Sequence, residues 1–217
     1  MKKIFGGLLF SLLTLSASGQ LIFVEAGKVI SSFDYKDSNG NSLGKLTTST
    51  QNNMGGGFRW SLFHSPWHIT VGAAYNKYVA KGSDPVLGNY YEWEVAYLGA
   101  NVGVDYEFFR PKITQNEQHG FSFYIRGSIA TDFLVKGTQQ LNNQVFNLIG
   151  KEEFNKPVYF LKAGVGLNYY ISKKFILFGE YTGGQSFLIG NYKNQEQLRY
   201  TTHNISVGLA VNLIYAN

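Results

Sequence analysis

Hydrophobic side chains in this sequence recur at every second residue, over segments longer than an ordinary globular strand. Between residues 52 and 63, Met54, Gly56, Phe58, Trp60 and Leu62 share one parity, and Asn53, Gly55, Arg59 and Ser61 the other. Between 121 and 135 the odd positions Phe121, Phe123, Ile125, Ile129, Phe133 and Val135 are apolar, while Ser122, Arg126, Ser128 and Asp132 are small or polar. The last segment sets Ile205, Val207, Leu209, Val211, Leu213 and Tyr215 against Asn204, Ser206, Gly208, Ala210 and Asn212. Side chains alternate across a strand, so each segment is a strand with one greasy face and one small or polar face.

Eight such segments occur, over 21–33, 52–63, 67–80, 90–109, 120–136, 157–170, 174–187 and 200–215. Globular strands usually run to about 5–6 residues, whereas a tilted membrane-crossing strand needs about 9–11. In the fourth segment the apolar parity changes near Tyr97–Leu98, from Tyr91, Trp93 and Val95 to Leu98, Ala100, Val102 and Val104. A β-bulge is expected there. The gaps at 34–51, 81–89, 137–156 and 188–199 are the outer connections, and those at 64–66, 110–119 and 171–173 the inner ones. Short turns on one side and longer loops on the other suit an outer-membrane barrel. Pro66, Pro85, Pro111 and Pro157 all stand at segment boundaries or in gaps, where no ladder N–H is needed.

Aromatics collect at segment ends. Phe63, Trp67, Phe108, Phe109, Phe121, Tyr169, Tyr170, Phe175 and Tyr215 lie on the inner side, and Phe33, Tyr78, Tyr90, Tyr91, Tyr159, Tyr181 and Tyr200 on the outer. Two such rings are expected to be the interfacial girdles of a barrel in lipid. Composition agrees: 15% charged residues with 15 Tyr and 17 Phe argue against a coiled coil or a disordered tail. The absence of Cys excludes disulfides, thiolate metal sites and thiol nucleophiles.

The first nineteen residues read as an address. Lys2 and Lys3 precede an apolar run containing Leu8, Leu9, Phe10, Leu12, Leu13 and Leu15, and Ala17 and Gly19 stand at −3 and −1 of a cleavage site. The expected domains are a cleavable signal peptide over 1–19 and a barrel domain over 20–217. Without the two signal lysines the net charge of +5 falls to +3 (5 − 2), too small and scattered for nucleic-acid binding.

The chain therefore resembles the small eight-stranded outer-membrane β-barrel superfamily, the OmpA/OmpX-like class. Its final strand, His203-Asn204-Ile205-Ser206-Val207-Gly208-Leu209-Ala210-Val211-Asn212-Leu213, carries that resemblance. The opening run Phe23-Val24-Glu25-Ala26-Gly27-Lys28 is also similar to the uncharacterised outer membrane protein β-barrel domain families. The expected fold is all-β, an eight-stranded antiparallel up-and-down transmembrane β-barrel. The expected location is the bacterial outer membrane.

An eight-stranded barrel is just wide enough for its own side chains to fill. The polar parity sends Glu25, Arg59, Asp105, Glu107, Arg126, Lys162 and Glu180 inward. Buried ions must be paired, so these residues are expected to form a lumen salt-bridge network. Arg59 and Arg126 are its central donors, because a guanidinium can bridge two carboxylates. Gly55, Gly57, Gly99, Gly103, Gly164, Gly166 and Gly208 share the inward parity and leave room for long neighbours.

No catalytic set stands out. Of His64, His68, His119 and His203, only His203 lies near the outer rim, and Ser206, three residues on, has the opposite parity. No metal or cofactor is implied; Asp34, Asp37 and Asn39 read as turn residues rather than calcium ligands. The outer loops are the remaining surface for contact. Val145, Phe146, Leu148 and Ile149 would meet a partner or lipid, fold over the barrel mouth as a plug, or form a short helix. Tyr192 and Arg199 could meet anionic lipopolysaccharide.

The expected role is non-enzymatic: structural, adhesive or complex-forming, among outer-membrane lipid, lipopolysaccharide and an envelope protein partner, with no nucleic acid. A lipid-modifying barrel enzyme and a soluble periplasmic lipocalin-like barrel are the alternatives.

Overall fold

A computed structural model of the chain describes residues 20–36, 46–62, 65–84, 89–111, 119–142, 144–150, 156–187 and 197–213. The signal-peptide region, Tyr192 and Tyr215 lie outside them. The long alternating segments form β1 (Gln20–Lys36), β2 (Thr47–Ser61), β3 (Trp67–Asp84), β4 (Asn89–Phe108), β5 (Gly120–Leu141), β7 (Val158–Tyr170), β8 (Phe175–Phe187) and β9 (Gln197–Asn212). A short β6 (Gln144–Asn147) folds back on the end of β5. Each long strand pairs antiparallel with its neighbour, and β1 closes the ring onto β9. Closure removes the sheet edges that hydrocarbon could not satisfy.

The ring is staggered. A row of outward residues starts at Ile22 and runs through Phe58, Val71, Val102, Ile129, Leu161, Gln185 and Thr201. It returns to β1 at Ser32, ten residues (32 − 22) above its start. The row climbs because barrel strands tilt. Its members turn from apolar to polar as it rises.

The apolar parity faces outward through most of the wall. Val24, Met54, Phe58, Val102, Ile125, Ile129, Leu161, Val165 and Val207 are all exposed on the isolated barrel.

Towards the outer end the arrangement inverts. Tyr91, Trp93 and Val95 lie across from Gly82, Ala80 and Tyr78 on the inner face, while Lys77–Glu94 (2.8 Å) and Lys81–Glu92 (3.2 Å) pair on the outer face. The expected bulge in the fourth segment is therefore misplaced. β4 keeps its alternation against β3 throughout, and the extra residue sits on β5. Tyr97 pairs with Leu134 and Ala96 with Lys136, leaving Val135 unopposed. A second extra residue lies in β2, between Thr48 and Asn53. The change of apolar parity in β4 is a change of surroundings and not a kink in its backbone.

Several expected girdle residues also turn inward. Phe33, Tyr78 and Tyr200 are buried in a core with Val29, Val95, Tyr97, Ala130, Leu148 and Phe160, and Tyr170 is buried at the opposite end. The outward aromatics include Trp67, Phe108, Phe121 and Phe175 below, with Tyr75, Phe133, Tyr181 and Phe187 above.

Candidate functional site

The lumen is where the chain concentrates its polar chemistry. Asp105 on β4 is its centre. Arg126 on β5 grips it with two hydrogen bonds, Nε to Oδ1 at 2.6 Å and Nη2 to Oδ2 at 2.9 Å. Arg59 on β2 lies 3.1 Å from the same carboxylate, and Thr70 donates to it at 2.7 Å. The remaining amine of Arg126 reaches Glu180 on β8 at 2.7 Å. Glu180 also accepts from Tyr124 at 2.6 Å and Thr182 at 2.8 Å. The Tyr124 ring lies under both guanidiniums, 4.8 Å from Arg59 and 5.4 Å from Arg126. Two cations and two carboxylates thus form a neutral, cross-braced layer from four strands. In a low-dielectric interior such a knot holds only while complete.

Glycines make the space for it. A Cβ on Gly166 would run into the Tyr124 ring, and one on Gly208 into Phe178, which flanks Arg59 at 5.9 Å.

Below the knot, Glu107 accepts from Asn168 at 3.0 Å, from Tyr170 at 2.5 Å and from Ser122. His68 and Arg110 approach its other oxygen at 3.6 and 3.9 Å. Glu107, His68, Arg110, Asn168 and Tyr170 line a cavity of about 250 Å³ with Arg59 and Lys173 near the inner mouth. Above the knot, Glu25 accepts from Ser206 at 3.0 Å beside a cavity of only about 60 Å³, which Lys162 also lines. Lys162 makes no ion pair among the described residues; its ammonium stands 5.0 Å from the Phe160 ring. Asp132 was not among the expected network residues. It is buried and accepts from Tyr78 at 3.2 Å and Asn76 at 3.4 Å. Its even position beside Arg126 in the alternating segment was the available signal.

The outer end is closed by rings. Tyr78, Tyr97, Phe160 and Tyr200 pack tilted or edge-on at centroid distances of 5.5–6.3 Å, and the hydroxyls of Tyr97 and Tyr200 meet at 2.9 Å. Leu148 joins this core, held by its backbone N–H on the Gly137 carbonyl at 3.0 Å. The four loop residues considered together therefore divide: Leu148 plugs, while Val145, Phe146 and Ile149 are exposed. Arg199 is not a loop residue; it stands in β9, opposite Asp34.

His203 faces outward, its Nδ1 2.7 Å from the Tyr181 hydroxyl, and Ser206 is buried inward. In the lower cavity Ser122 donates to Glu107 rather than to His68. Neither histidine meets a serine, the contact that would activate a nucleophile.

No family profile and no curated protein matches this chain. Solved structures do. The outer membrane protein OprG from Pseudomonas aeruginosa is 13% identical, covers 90% of this chain and 97% of its own, and superposes with a TM-score of 0.53. The fold is that of the small outer-membrane β-barrels. Neisserial surface protein A (11% identity, 88% and 97% coverage, TM-score 0.49) and the outer membrane protease OmpT from Escherichia coli (7%, 91% and 98%, TM-score 0.48) are also similar. The fold alone assigns no activity.

Proposed function

We propose that this protein is a non-conducting, non-enzymatic barrel of the bacterial outer membrane, and that it serves as an anchor or interaction platform through its outer face. In this reading residues 1–19 are removed on export and 20–217 form the barrel. The observation that carries it is the double closure of the lumen. The Arg59–Asp105–Arg126–Glu180 knot blocks the middle, and the Tyr78–Tyr97–Phe160–Tyr200 cluster blocks the outer end. A side-chain-filled interior is the norm for eight strands. Function then falls to the surfaces outside the lumen, where Val145, Phe146 and Ile149 stand exposed.

The test has two arms. The refolded protein in a planar bilayer should give no stable ion conductance, and a detergent pull-down from outer membranes should retain a consistent envelope partner. Steady single-channel steps would reject the closed barrel. A change in lipid A mass on deleting the gene would favour the enzymatic alternative.

A further inference from the structure

Lys28 points the wrong way for a charged residue of this barrel. It lies on the outward parity of β1, exposed, between Ala26 and Ile30, and pairs across the strands with Asn52 on β2 and Ile205 on β9. The stagger of ten residues over eight strands lets a line parallel to the membrane be drawn. It departs from the hydrogen-bonded row by about one residue per strand. On that line Lys28 is roughly level with Leu98, Ile129 and Leu161 on the far wall, each more than half exposed. One wall is thus apolar at a height where the other carries an ammonium.

Among the described residues that ammonium has no carboxylate partner. Its partner is the neutral Oδ1 of Asn52, at 2.5 Å, whereas the outward cations Lys77 and Lys81 each hold a glutamate. Ala26, Ile30 and Ile205 flank Lys28 directly, and beyond them towards the outer end the same face turns to hydrogen-bonding groups. His203 stands opposite Ile30 and is bound through Nδ1 to Tyr181; Gln185 and Thr201 pair just above. A lysine facing hydrocarbon costs about 2–4 kcal/mol at the midplane, falling to about 0–1 near the interface. An ammonium with two N–H groups to spare, beside an imidazole and an amide, is complementary to a phosphate oxygen.

We propose that the outward patch of Lys28, Asn52 and His203 seats the phosphate of an outer-leaflet lipid headgroup, drawn against this wall of the barrel. The inference rests on the outer-membrane placement proposed above. A second copy of the chain is a poorer occupant. A two-fold contact centred here would bring Lys28 against its counterpart, like charge against like.

The test uses the refolded full barrel in nanodiscs of phosphatidylcholine containing a small fraction of either phosphorylated or dephosphorylated lipid A. Lipid retained after detergent extraction is counted by native mass spectrometry. The wild type should retain the phosphorylated form preferentially. Lys28→Gln with His203→Gln should lower that retention at least about fivefold, the effect of losing one near-surface cation. Lys28→Arg should keep it, and Lys77→Gln should not alter it. Inorganic phosphate in the millimolar range should not displace the lipid. Equal retention of the two lipid forms, full competition by inorganic phosphate, or Lys28-dependent crosslinked dimers would each overturn the proposal. Heat-modifiable migration of every variant reports the barrel separately. Loss of that shift in the wild type would strike the membrane placement, whereas loss of lipid preference with the shift intact strikes only the patch.

Discussion

The two halves of the lumen close the barrel by different physics. The lower half is built around ions, beside a buried apolar cluster of Leu21, Phe23, Ile176 and Phe178: Arg59, Asp105, Arg126 and Glu180 neutralise one another, and Glu107 collects donors beneath them. The upper half is filled with rings and aliphatic side chains, with Tyr97–Tyr200 as a polar contact inside the cluster. The outer surface runs the other way. Beside the ionic half it is apolar, and beside the aromatic half on β3 and β4 it carries Lys77–Glu94 and Lys81–Glu92. The wall thus reverses its polarity along its height. A polar interior suits a wall whose apolar side must face lipid. Above the lipid, an apolar interior and a charged exterior are what water demands of any fold.

That contrast can be broken in graded ways. The largest effect is in labelling. Single cysteines at Phe58, Ile125 and Leu209 should stay unmodified by a water-borne thiol reagent in proteoliposomes, while one at Val145 reacts fully; ready modification of the first three would place that wall in water. Next is the knot. Arg126→Met leaves the buried Glu180 carboxylate without a cation and should cost about 3–5 kcal/mol in urea unfolding, with much of it returned when Glu180→Gln accompanies it, because Arg59 still neutralises Asp105. A loss below about 1 kcal/mol would mean the layer is hydrated and the ions screened. In the aromatic half, Leu148→Ala should cost about 2 kcal/mol, at the low end for a buried leucine because its loop can relax. No loss would mean that the loop does not plug the mouth. The smallest is Tyr97→Phe, worth about 1 kcal/mol for one hydroxyl contact. An effect several times larger would make that contact the organiser of the cluster.

The alternation itself was legible because parity alone decides which face a strand residue takes. It separates Phe58 from Arg59 and Ile125 from Arg126 with no further information. It could equally have flagged Lys28, which shares the parity of Val24, Ala26 and Ile30. A short opening run of mixed residues hid the signal. Parity could not say what lies outside each face. Phe33, Tyr78 and Tyr200 stand near strand ends as girdle residues do, yet they point inward, into the core with Phe160 and Leu148. Leu148 was illegible for another reason. Its burial depends on how β6 folds back onto β5, and no local pattern encodes that.

The amino-acid order by itself determined the eight long strands and the two chemically distinct faces of each. Side-chain period and length follow from bond geometry and bilayer thickness. Only the closed ring decided which charges meet. Arg126 reaches Asp105 and Glu180 because neighbouring and distant strands converge on one axis, with a stagger that pairing sets residue by residue. The height at which the wall trades oil for water belongs to the same tertiary decision, since it depends on strand tilt and on the extra residues in β2 and β5.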